Sequence, residues 1–185
     1  MQNHSSYSDW ADYDNFSPDI TVEGSDSKLL PAYLSLIRLS DSAIQNLVSY
    51  FEAQEEPTMI VFFGDHQPAD SVVRPVWKLN GKDDADLTDE EEALRYKVPF
   101  FIWANFNIET ENDLEISANY LAAKTLDAAG LPKSAYDNFL SQLRTEVPVI
   151  SANHVTLSDG TFTTASKQKD LLYDYQTLQY YLLFD

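Results

Sequence analysis

Asp65 and His66 stand side by side directly after a short apolar run, Met59-Ile-Val-Phe-Phe63, and a glycine, Gly64. A carboxylate oxygen and a neutral imidazole nitrogen are donors that hard to borderline divalent cations accept. A run this short, rich in Ile, Val and Phe, reads as a strand buried on both faces. In open α/β sheets, ligands bind just past the carboxyl ends of such strands. Asp65-His66 is therefore a candidate for half of a metal site. An ordinary polar turn, carrying the chain out of the core towards Pro68, is the commoner meaning of two such residues taken alone. The flanking sequence has to decide.

Other places that invite chemistry have simpler explanations. The run Asp83-Asp84-Ala-Asp86-Leu-Thr-Asp89-Glu90-Glu91-Glu92 is dense in carboxylates. It lacks the alternating Asp/Asn ligands and central glycine of an EF-hand loop. Thr88 followed by Glu91 instead makes a capping box that opens a short helix, and the helix dipole accommodates the acids. Asp41 falls on the apolar stripe of a long helix, where a carboxylate needs a partner. A structural hydrogen bond to a neighbouring loop or to backbone would serve. His154, beside a turn, receives no role. Tyr175, Tyr180 and Tyr181 suggest a sugar platform, but core packing with hydroxyls at the rim is the simpler account.

The elements that must position Asp65 and His66 are legible on either side. Residues 28–54 form the longest helix, with Pro31 in its first turn. Leu30, Leu34, Ile37, Ile44, Val48 and Phe51 recur at spacings of three and four along it. Pro57 separates it from the strand at 59–63. Residues 69–97 read as a long excursion, and 98–104 as a second strand with Pro99 at its start. Residues 117–129 are a helix with Ser117 as candidate N-cap, ended by Gly130 and Pro132. Ser134 caps a shorter helix to Leu143. Residues 147–150 and 155–164 resemble short strands with a turn at Ser158-Asp-Gly160, and 169–185 a closing amphipathic helix. The order is α/β. With only two strong central strands, the sheet looks incomplete.

Composition narrows the partners. The chain has 185 residues, one domain by length, and 44% are apolar, enough for a core. Its formal net charge of −18 argues against nucleic acid and against anionic lipid surfaces. With no cysteine, thiolate metal sites and cysteine nucleophiles are excluded. No apolar run approaches the ~20 residues that cross a bilayer. The first ten residues are polar and carry no signal peptide, so Met1 reads as an internal or added start.

The residues in order resemble the carboxyl-terminal half of the extracellular catalytic domain of the lipoteichoic acid synthase-like phosphoglycerol transferases. That family has the sulfatase fold of the alkaline phosphatase superfamily. Asn3-His4-Ser-Ser-Tyr7 is similar to the family's Asn-His-x-Pro-Tyr segment, departing from it at Ser6. Tyr33 to Asp41 with Ala43 resembles the helix before the metal strand. Phe63-Gly-Asp-His-Gln-Pro68 resembles the metal-binding turn, and Tyr96 to Asn105 the next strand. Ile116 to Leu121 with Ala129-Gly-Leu-Pro132 resembles the following helix and its stop. Asp174-Tyr175, Gln179-Tyr180 and Asp185 resemble the closing segment.

The resemblance implies a partial sulfatase-like sandwich: a central sheet flanked by helices, a small carboxyl-terminal β-hairpin and a closing helix. It implies one divalent cation, manganese by preference and zinc or magnesium as alternatives, with Asp65 and His66 as two of its four protein ligands. His4 would contact substrate phosphoryl oxygens. The other two ligands, a Glu and a Thr nucleophile, have no counterpart here, so no residue of this chain is assigned as catalytic. The implied substrates are a phosphatidylglycerol-like headgroup and a glycerol-phosphate polymer, at the extracellular face of a bacterial membrane. The chain itself is expected to be an inactive piece of a membrane-anchored enzyme. Sulfate-ester hydrolysis, phosphoethanolamine transfer and a non-catalytic polymer-binding role are the alternatives.

Overall fold

The helix α1, Leu29–Glu52, starts in the computed structural model where hydroxyl groups take up loose backbone donors. Ser27 Oγ accepts from the Leu30 N–H at 3.2 Å. The buried Ser35 hydroxyl donates to the Pro31 carbonyl at 2.8 Å and accepts from the N–H groups of Asp19 and Ile20 at 3.2 Å each. That one side chain ties the incoming segment to the helix and leaves no buried hydroxyl unpaired. Arg38 and Asp19 repeat the tie as a surface ion pair. The structure describes Tyr7 and residues 16–184.

Leu30, Ala32 and Leu36 are buried at the amino-terminal half of α1. Further along, Ile44, Val48 and Phe51 are half-buried, while Ile37, Leu39, Leu47 and Tyr50 are exposed. Asp41 is exposed too, so it needs no buried partner. The stripe predicts one covered face. The helix instead carries apolar residues on two, one of them open.

Strands β1, Met59–Phe63, and β2, Phe100–Ala104, pair antiparallel, with Met59 opposite Ala104 and Phe63 opposite Phe100. Phe62 and Phe101 stack across the pair with ring centroids 5.2 Å apart, a cross-strand contact that helps fix register. Asn105 secures the far end. Its Nδ2 donates to the carbonyls of Phe51, Gln54 and Glu56 at 2.9–3.1 Å, and its Oδ1 accepts from the Thr58 N–H at 2.8 Å. One amide thus joins the end of α1 to the start of β1. The strands are half-buried rather than covered on both faces, and Phe63 is 57% exposed.

The excursion at 69–97 contains α2, Asp70–Leu79, with Pro75 inside it. Proline in a helix interior removes a hydrogen bond, which is why the sequence pattern conceals this element. The capping box at Thr88 and Glu91 does form, opening α3, Asp89–Ala93.

The chain divides into two compact units, Met1–Phe106 and Asn107–Asp185. The second holds α4, Leu121–Ala128; α5, Ala135–Glu146; and α6, Lys169–Phe184. Strands β3, Val149–Ile150, β4, Val155–Thr156, and β5, Phe162–Thr163, form an antiparallel meander, one strand more than a hairpin. Ser134 caps α5, with Asp137 completing the box. Ser117 is not a side-chain cap; its hydroxyl accepts from the Ile150 N–H at 3.0 Å, holding β3. Leu172 and Tyr175 dock α6 on a core that includes Tyr120, Leu140 and Val155. Among the described residues no helix is long and apolar enough to cross a membrane.

Tyr120, fully buried, donates its hydroxyl to the Val147 carbonyl at 2.7 Å. Burial, the largest influence, holds its phenol above the ordinary value of 10.0. The unfolded phenol therefore ionises first, so this contribution is intact below about pH 10 and is lost as pH rises above it. Tyr120→Phe strands the carbonyl and should cost about 1–3 kcal/mol at neutral pH. It should also flatten the alkaline decline in stability. Urea titrations at neutral pH and near pH ~11 check both effects.

Candidate metal centre

Where β1 ends, the Gly64 N–H donates to the Pro99 carbonyl at 3.0 Å. A Cβ at this position would lie 3.0 Å from Val98 Cβ, tighter than most side-chain carbons pack, so Val98 would have to give way by a few tenths of an ångström. Glycine suits that approach. Three residues on, the Gln67 amide donates to the Lys97 carbonyl, and Pro68 is buried behind it. The residues that lead into β2 therefore brace the turn at both ends.

Between the braces, Asp65 and His66 face solvent, their side chains 79% and 63% exposed. Asp65 Oδ1 accepts from the His66 N–H at 2.9 Å. His66 Nδ1 lies 2.9 Å from the Gln67 carbonyl. A carbonyl only accepts, so Nδ1 carries the proton in this contact. Nε2 stands 3.5 Å from Asp65 Oδ2. Two atoms bound to one cation at ordinary bond lengths lie about 3.0–3.5 Å apart. The pair therefore fits two positions in a single coordination shell. Among the described residues, no group of three or more His, Cys, Asp or Glu side chains could hold a metal ion. The turn offers a partial donor set.

Tyr7 and Tyr33 pair from two other segments. Their rings meet edge to face, centroids 5.3 Å apart with an interplanar angle of 73°. Burial, then Tyr33, then the charge of Asp65 push the Tyr7 phenol up. Burial does the same to Tyr33. Sequence reasoning gives neither tyrosine a role of its own, because nothing local links Tyr33 to residue 7. His4 lies outside the described residues. His154 is structural: Ser151 Oγ is 2.8 Å from its Nδ1, and its ring stacks on Phe162.

A family model described as Sulfatase matches residues 1–131, a span that contains His4, Asp65 and His66. The chain belongs to the sulfatase family. A solved relative is the Streptococcus pyogenes phosphoglycerol transferase GacH in complex with sn-glycerol-1-phosphate. It is 21% identical with a TM-score of 0.56, over 83% of this chain and 37% of that one. The likeness shows a sulfatase-like fold, and the family model places the chain in the alkaline phosphatase superfamily, whose members typically use a metal ion. A Rhizobium meliloti (strain 1021) protein named for the modification of cyclic beta-1,2-glucan is 24% identical over 176 residues, 89% of this chain. The chain spans 27% of the length of that relative.

Gly64→Ala forces its new Cβ against Val98 and should destabilise the first unit by about 1–3 kcal/mol. Asp65→Asn, at an exposed position, should change stability by less than about 0.5 kcal/mol. Denaturant midpoints of the two variants distinguish a turn held by packing from one held by its polar tip.

Proposed function

We propose that this chain supplies half of the metal site of a phosphoglycerol transferase acting on phosphatidylglycerol-type phosphodiesters. The observation that carries the reading is the 3.5 Å approach of His66 Nε2 to Asp65 Oδ2 on a braced turn at a strand end. Asp65 and His66 would hold one divalent cation, manganese by preference. When bound, such a cation neutralises phosphate charge and favours ionisation of an attacking hydroxyl. The Asp65 carboxylate supplies negative charge, and the imidazole a neutral donor oriented by its bond to Gln67. His4 would bind phosphoryl oxygens. The remaining donors and the Thr nucleophile would come from polypeptide outside these residues, and the whole enzyme would work at the outer face of a bacterial membrane.

The family membership and the fold shared with GacH support this reading. A glycerol-phosphate polymer is the acceptor implied by the sequence resemblance. The name of the Rhizobium meliloti relative favours a second reading, in which a glucan hydroxyl accepts the group.

On this account the chain alone, given manganese and bis(p-nitrophenyl) phosphate, turns over no faster than its His66→Ala variant. The full-length protein should turn the ester over and lose at least about a hundredfold with the same substitution, since even groups that merely orient a ligand cost 10–100-fold. Metal-dependent turnover by the chain alone, or an unaffected full-length variant, would contradict the proposal.

A further inference from the structure

Gln67 makes two bonds at the tip of the turn, one with its side chain and one with its backbone. The side-chain amide donates to the Lys97 carbonyl, in the lead into β2. The backbone carbonyl lies 2.9 Å from His66 Nδ1 and accepts from it. That carbonyl belongs to the Gln67–Pro68 peptide, which is planar, so Pro68 fixes its direction on one side. Pro68 is buried, and a proline keeps the residue before it out of the helical region. The Gln67 side chain, bonded across to Lys97, fixes the other side. The acceptor that meets His66 is thus held from both directions. The imidazole needs such a partner, because at 63% exposure burial does not fix its ring.

We infer that Gln67 is a positioning residue that sets which divalent cation this turn prefers. It acts through His66. With Nδ1 bonded to the Gln67 carbonyl, the nitrogen on the Asp65 side is Nε2, 3.5 Å from Asp65 Oδ2. Histidines that ligate metals owe their ring orientation to a partner of this kind on the other nitrogen. Without the bond to Lys97, the Gln67 carbonyl and the ring it holds turn more freely, and Nε2 is delivered to a cation less often. Asp65 is held separately, its Oδ1 accepting from the His66 N–H at 2.9 Å. Loosening Gln67 therefore costs the nitrogen donor and spares the oxygen donor. Zinc accepts imidazole nitrogen readily, whereas magnesium takes carboxylate and water oxygens. This role rests on the proposed metal site and adds the residue that tunes its choice of ion.

The test titrates zinc and magnesium separately into the full-length protein and reads binding rather than turnover, zinc against a competing chelator and magnesium by calorimetry. Gln67→Met keeps the length of the side chain and loses its donor; Gln67→Ala loses both. Each should lower zinc affinity about tenfold, the lower end of what the partner of a metal-bound histidine is worth, and leave magnesium affinity within about twofold. His66→Gln should lower zinc affinity at least as far. Gln67 variants that bind zinc as the wild type does, beside a His66→Gln variant that does not, would overturn the positioning role and leave the metal site standing. A loss shared equally by zinc and magnesium would overturn it as well, by marking the bond to Lys97 as structural support for the whole turn. So would a normal Gln67→Met beside an impaired Gln67→Ala, because side-chain packing rather than the donated bond would then hold the turn. Zinc binding unchanged by His66→Gln would overturn the metal-site reading and the role of Gln67 with it.

Discussion

At Gly64 the backbone of β1 comes so close to Val98 that a side-chain carbon would sit 3.0 Å from the valine's Cβ. The placement of the turn follows from that approach. It lets the Gly64 amide reach the Pro99 carbonyl and lays the next residues against the lead into β2. Gln67 then closes the turn on Lys97. The direction in which Asp65 and His66 leave the strand is thus inherited from the β1–β2 register, which Asn105 pins at the opposite end. A polar tip with both side chains in solvent is positioned by apolar packing and backbone bonds behind it.

Charge makes sense of the order of events at such a tip. A chain of net charge −18 repels a phosphodiester. A carboxylate beside an imidazole suits a divalent cation, and only with that cation present would a phosphoryl group be welcome. The covering of the first unit points the same way. Strands that are apolar on both faces are only half-buried, and α1 exposes Leu39, Leu47 and Tyr50. The chain spans 37% of the length of its solved relative.

Features written in local sequence were legible. The long helix, both central strands, the capping box at Thr88 and the Ser134 cap follow from periodicity and short-range hydrogen bonding. The Asp65-His66 tip was legible because it ends an apolar run. Features made by distant contacts were not. Ser35 reads as an ordinary helical serine until Asp19 and Ile20 fold back on it. Asn105 ends a strand without announcing the four bonds it makes. The antiparallel sense of β1 and β2 and the pairing of Tyr7 with Tyr33 are likewise settled by tertiary packing. Helix α2 was hidden for a different reason, a proline in its interior. Asp41 misled because periodicity marks a stripe without saying what covers it.

The central claim is that Asp65 and His66 are ligands to one cation. Pulsed electron paramagnetic resonance of manganese bound to the full-length protein reads this directly. The account predicts nitrogen hyperfine coupling from a bound imidazole, abolished by His66→Gln, and manganese affinity lowered at least about tenfold by Asp65→Asn. Manganese that binds without nitrogen coupling, or a coupling that survives His66→Gln, would contradict it.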